Sequence, residues 1–237
     1  MSTYVLIHGA WHGAWCWEKV TPLIEKAGHK VVAPDLPGHG EDKRPIAEIT
    51  LQAYTDRVCQ IIDQQSDPVI LVGHSMGGVV ITQTAEYRPQ RINKLVYVTA
   101  FLLKNGEFLL QYAEPDTEAL VLPNLIMSED QSYATVKEDA LKEIFYADCS
   151  DEDVEFAKSR LVPQAAAPFA TPVATTEENF GRVPRAYISC LQDKAISPSI
   201  QKKMYTALPC EKVIFMGTSH SPFFSAPEDL ANHLLSL

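Results

Sequence analysis

The stretch PVILVGHSMGGVVITQTAEY, residues 68–87, decides how the chain is read. Its first five residues are an apolar run without alternation, the pattern of a strand covered on both faces. Its last nine, VVITQTAEY, read as a helix. Between them GHSMGG sets Gly73, Ser75 and Gly77 at GxSxG spacing. Small residues must flank such a serine, because the chain reverses sharply there and the strained turn leaves Oγ exposed above the end of a sheet. A glycine-rich turn with an incidental serine is the plain alternative. The strand before and the helix after favour a turn built to present a nucleophile.

Outward from this unit the same rhythm recurs. Strands are expected near residues 4–7, 30–33, 69–72, 95–99, 185–190 and 212–216, and helices over 17–27, 51–65, 76–87, 199–207 and 227–235. Strand alternating with helix predicts an α/β fold, a doubly wound and mostly parallel sheet of about six strands. Residues 101–182 break the rhythm. No convincing strand is legible there, only helical pieces at 137–146 and 151–161 and the proline-bearing PQAAAPFATPV. The expected organisation is a core of residues 1–100 and 183–237 with 101–182 inserted as a helical cap, one structural domain overall.

Composition narrows the partners. Among 237 residues, 30 Asp and Glu against 20 Lys and Arg give a formal charge of −10, with no local cluster of cations. Nucleic acid and anionic membranes are therefore poor partners, and a small-molecule ligand is expected. No apolar run reaches the ~20 residues that span a bilayer, and no signal peptide is legible, so a cytoplasmic protein is expected. Five scattered cysteines without a CxxC pair argue against a disulfide framework and a zinc site. A homodimer is compatible with this composition.

A serine hydroxyl needs a base, and the base needs an orienting carboxylate. On such a sheet the order is Ser, acid, His, each on a loop after a strand. Of seven histidines, His220 in MGTSHSPFF follows the last expected strand and is the candidate base. His8 and His12 sit after the first strand, His29 and His39 flank the second, and His233 lies in the final helix with a solvated or capping role. His74 adjoins the serine and is read as packing. Asp193 in LQDKAIS lies just past the strand ending at Cys190 and is the candidate acid. The alternative site after Thr99 offers only Ala100, Phe101 and Leu102, while Asp148, Asp151 and Asp153 are expected to start or solvate cap helices.

Acyl transfer builds negative charge on a carbonyl oxygen and calls for two aimed N–H donors. Met76, after the nucleophile, supplies one. The other comes from HGAWHGAW, residues 8–15: Gly9 lets the backbone approach closely and Ala10 offers its N–H. In the second copy His12 braces the loop, while Trp15 and Trp17 pack the first helix on the sheet.

With HGAWHGAW, PDLPGHG, GHSMGG, FYADCSDED, DKAIS and SHSPFF in this order, the chain resembles the α/β-hydrolase superfamily over its whole length. More narrowly it resembles the group of plant methylesterases, hydroxynitrile lyases, polyneuridine aldehyde esterase and bacterial carboxylesterases such as pyrethroid hydrolases. The resemblance implies Ser75, His220 and Asp193 as the triad, Ala10 and Met76 as the oxyanion hole, a cap over an apolar pocket, and no cofactor. Lyases of this group that cleave cyanohydrins carry lysine after the catalytic histidine, where this chain has Ser221, and many carry threonine, others asparagine, where it has Gly9. Both differences favour a carboxylesterase acting on small to medium apolar esters. A carbon–carbon lyase and a ligand-binding receptor on a hydrolase scaffold are the alternatives. Candidate pocket residues are Gly9, His12, Leu122, Leu125, Ile126, Phe145 and Tyr146, with Met127 and Phe169; the bland reading of the cap members is cap core.

Overall fold

In the computed structural model, which describes residues 1–237, the apolar runs become strands and the segments between them helices. The strands are β1 (Thr3–Ile7), β2 (Lys30–Val32), β3 (Val69–His74), β4 (Ile92–Val98), β5 (Leu125–Met127), β6 (Tyr133–Val136), β7 (Gln164–Ala165), β8 (Arg185–Cys190) and β9 (Lys212–Met216). Six of them form one sheet in the order β2-β1-β3-β4-β8-β9, with every pairing parallel. The helices are α1 (Thr21–Lys26), α2 (Leu51–Asp63), α3 (Gly77–Tyr87), α4 (Leu110–Ala113), α5 (Leu141–Phe145), α6 (Asp151–Lys158), α7 (Ala167–Ala170), α8 (Pro198–Ala207), α9 (Pro222–Ser225) and α10 (Pro227–Leu235). None is long and apolar enough to cross a membrane.

Local chemistry sets the helix starts. Thr50 caps α2 by accepting from Ala53 N–H, and Leu51, Tyr54, Val58, Ile61 and Ile62 then form one buried stripe. Ser150 caps α6 and Ser197 caps α8, whose first residue is Pro198. At the two sheet edges the strands begin with exposed Lys30 and Lys212, charges that discourage further pairing.

Register explains why function gathers at one rim. Ile7 pairs with Gly73, His74 with Val98, Val98 with Ile188, and Cys190 with Met216. Parallel strands in this register end together, so the turns after β1, β3, β4, β8 and β9 emerge side by side. The site is a product of topology.

Residues 101–182 depart from expectation. They are not purely helical: β5, β6 and β7 form a small antiparallel sheet. These strands are two to four residues long and their hairpin turn has no glycine; Asp130 builds it instead, accepting from Ser128 and Ser132, with Gln131 at φ +58°. The helices there are also shorter than expected. One continuous apolar core nonetheless runs from the main sheet into this segment, taking in Leu103, Tyr112, Ile144 and Phe169. At the N-terminal side the expected 17–27 helix is split into a 3-10 turn, Ala14–Trp17, and α1, which begins one residue before Pro22.

Candidate active site

Ser75 stands between β3 and α3 with φ +55°, a left-handed conformation that costs a non-glycine residue about 1–2 kcal/mol. The surrounding backbone holds it there. Its N–H reaches Val98 O at 3.4 Å and its carbonyl accepts from Phe101 N–H at 3.1 Å, tying the elbow to the end of β4. Two glycines make the space. A Cβ on Gly9 would lie 2.7 Å from Ser75 Cβ, and one on Gly77 would lie 2.8 Å from His8 O.

Asp193 and His220 meet on the neighbouring turns. His220 Nδ1 lies 2.7 Å from Asp193 Oδ2, and both side chains are buried. The carboxylate can only accept, so Nδ1 carries the proton and Nε2 is left with its lone pair free. Asp193 is fully engaged. Oδ1 accepts from Ala195 and Ile196 N–H at 2.6 and 3.0 Å, and Oδ2 also accepts from Thr99 Oγ1. No hydrogen bond joins Ser75 Oγ to the ring in this structure; in free enzymes that contact is often long and tightens with substrate.

Sequence reasoning passed over three of the surrounding residues. Thr99, at φ +38°, occupies the turn after β4 that holds no carboxylate, and donates to Asp193 instead. His74, read as packing, does pack beside Trp17 and Phe223, but its Nε2–H also donates to His220 O at 2.8 Å. Asp148 does not start or solvate a helix: it accepts from both N–H and Oγ–H of Ser219, the residue before His220. Asp153, by contrast, pairs with Ser150 at the start of α6 and with Lys19 at 2.6 Å.

The first turn is pinned by imidazoles. His8 Nδ1–H donates to Gly9 O at 2.8 Å while Nε2 accepts from Leu36 N–H. Because a trans peptide sets N–H opposite C=O, holding Gly9 O aims Ala10 N–H the other way. His12 Nδ1–H likewise donates to Ala10 O at 2.7 Å, and its Nε2 accepts from Tyr146 O–H at 2.7 Å. Neither Ala10 nor Met76 N–H meets an acceptor in the protein. Burial lowers the pKa of His12 to about 3 and holds His8 and His74 well below the usual histidine range. All three are neutral near pH 7. His39, in the turn after β2, is also buried, bonded to Gln164.

Ser75, Ala10 and Met76 border an apolar cavity whose other walls include Trp11, Phe101, Leu122, Leu125, Phe145, Phe169 and Ile196. Ser75 is the only residue on this surface that is not hydrophobic. Leu122, Leu125 and Phe145 thus stand where a pocket was expected. Ile126 and Met127 do not, being turned to the surface at about half exposure. Gly9, His12 and Tyr146 lie behind the wall, not on it: glycine has no side chain to offer, and the other two are spent on each other. A larger open groove, bordered by Trp15, Asp35, Lys43 and Arg160, includes none of Ser75, Asp193 and His220.

A serine, an oriented imidazole and two free N–H donors around an apolar cavity suit acyl transfer, and comparison with known proteins agrees. The family model described as "Alpha/beta hydrolase family" matches residues 4–233. Methylesterase 2 of Arabidopsis thaliana is 34% identical, the alignment covering 99% of this chain and 95% of that protein. The pyrethroid hydrolase of Sphingobium wenxiniae is 32% identical over 98% of this chain and 85% of its own. Among solved structures, a polyneuridine aldehyde esterase variant superposes with a TM-score of 0.89 at 27% identity, covering 99% of this chain and 98% of that one. The chain belongs to the alpha/beta hydrolase family.

Proposed function

We propose that this carboxylic ester hydrolase works through an acyl-enzyme, with Ser75 as nucleophile, His220 as base and Asp193 as the carboxylate that orients the ring. The observation that carries the reading is the Asp193–His220 bond at 2.7 Å, set at the sheet rim where strained Ser75 opens on an apolar cavity. Ser75 Oγ attacks the ester carbonyl as His220 Nε2 takes its proton. The oxyanion is received by Ala10 and Met76 N–H, each worth about 3 kcal/mol if removed. The imidazolium then protonates the departing alcohol, and water, activated by the same nitrogen, releases the acid.

Residues 101–182 act as a cap over the elbow in this reading. The substrates are small to medium apolar esters without charge near the carbonyl, because no cationic or acidic side chain faces the cavity. Five unpaired cysteines fit a reducing, cytoplasmic setting. Relatives named methylesterase and pyrethroid hydrolase support ester cleavage, and the lyase alternative is not better supported.

The test is a panel of methyl, acyl-chain and aryl esters assayed with wild type and Ser75→Ala side by side. Loss of about four orders of magnitude in kcat is expected for the variant. Retention of most activity toward p-nitrophenyl acetate defeats the assignment.

A further inference from the structure

Between α5 and α6 the chain makes a short turn, Tyr146 to Cys149, that belongs to the cap yet touches both halves of the candidate site. Tyr146 is fully buried and its O–H donates to His12 Nε2 at 2.7 Å; the other nitrogen of that ring holds Ala10 O. Two residues on, Asp148 accepts from Ser219 N–H at 2.8 Å and from Ser219 Oγ–H. Ser219 is itself buried and directly precedes His220. Cys149 adds a weak thiol contact to Ser221 O on the far side of His220.

The direction of each bond is fixed. Ala10 O only accepts, so neutral His12 carries its proton on Nδ1 and offers a lone pair at Nε2; only a donor can serve it, and the Tyr146 hydroxyl does. A carboxylate at 148 satisfies two donors that an apolar residue would leave buried and unpaired.

We propose that this turn is a two-armed clamp, in which Tyr146 positions the oxyanion turn through His12 and Asp148 positions the His220 loop through Ser219. The proposal rests on the triad reading above. Neither residue touches substrate; both are positioning residues, and the cap thereby sets catalytic geometry as well as pocket shape. A displacement of about 1 Å at such a site costs up to ~100-fold in rate.

The test measures kcat and KM for a p-nitrophenyl ester, with thermal midpoints, in wild type, Ser75→Ala, Tyr146→Phe, Asp148→Ala and Asp148→Asn. Tyr146→Phe and Asp148→Ala are expected to lose ~10- to 100-fold in kcat with KM within about twofold, since the cavity wall is untouched. Asp148→Asn keeps an acceptor for Ser219 N–H and should recover most of the loss. His12→Ala with Tyr146→Phe should be no slower than His12→Ala alone, because the hydroxyl acts through that ring. If Asp148→Ala does not fold, Ser219→Ala removes one arm of the contact and must show a smaller fall of the same kind. Activity abolished in Ser75→Ala but unchanged in the clamp variants overturns the clamp and leaves the hydrolase reading standing. A rise in KM at constant kcat, or full additivity of His12→Ala and Tyr146→Phe, overturns it too.

Discussion

Lowering the pH from 7 to 5 should destabilise this protein through three imidazoles that it keeps neutral. His8, His12 and His74 are fully buried, and burial depresses the pKa of each, that of His12 to about 3. In the unfolded chain a histidine titrates near 6.5, so between pH 6.5 and the folded value the unfolded state binds more protons. Stability is therefore complete above about pH 6.5 and falls as the solution is acidified toward pH 3. Over the interval from pH 7 to 5 His12 alone contributes a loss of about 2 kcal/mol, and His8 and His74 add to it in the same direction. Even the His12 part is appreciable against the ~5–15 kcal/mol by which domains are stable. Urea unfolding followed by far-UV circular dichroism at the two pH values measures it, and His12→Asn should shrink the difference by about 2 kcal/mol. A wild-type loss below about 2 kcal/mol, or an unchanged difference in the variant, would mean that the rings take up protons inside the fold and would refute the reasoning.

Other perturbations address the site itself. Asp193→Asn should cut kcat by up to ~10⁴-fold with the fold intact, as loss of the orienting carboxylate does elsewhere, and steady-state kinetics beside a thermal melt would check it. Thr99→Val removes a donor to Asp193 without changing size, and kcat should fall ~10-fold while KM holds. Gly9→Ala forces a methyl to 2.7 Å from Ser75 Cβ, so a stability loss of about 1–3 kcal/mol and a large drop in kcat are expected by denaturation and ester assay. Leu125→Ala should favour longer acyl chains by about fourfold in kcat/KM per added methylene, at ~0.8 kcal/mol each, whereas Ile126→Ser at the surface should leave chain-length preference alone.

What the sequence disclosed follows from what each residue had to do locally. The elbow at Ser75 was legible because such a turn demands flanking small residues, and the meeting of Asp193 with His220 because loops at one rim must follow strands that are apolar on both faces. The six-stranded sheet was legible for the same reason. Thr99, His74 and Asp148 were not, because their roles depend on partners 94, 146 and 71 residues away and carry no local spacing. The hairpin of β5 and β6 escaped notice because two strands of three and four residues, half exposed, leave neither an apolar run nor a glycine at the turn. Tyr146 looked like pocket lining because an aromatic in a cap is expected to face a ligand, whereas its hydroxyl required a buried acceptor.

The crowding of every tryptophan into residues 11–17 has a practical result. Trp11 walls the cavity and donates its indole N–H to Ala134 O on β6, while Trp15 stacks on His12 at 5.2 Å and Trp17 sits edge-on to His74. The molecule's indole emission thus originates from one spot, where the sheet, the overlying segment and the apolar chamber adjoin. Occupancy of that chamber, or detachment of what covers it, can be followed by intrinsic fluorescence without any attached dye.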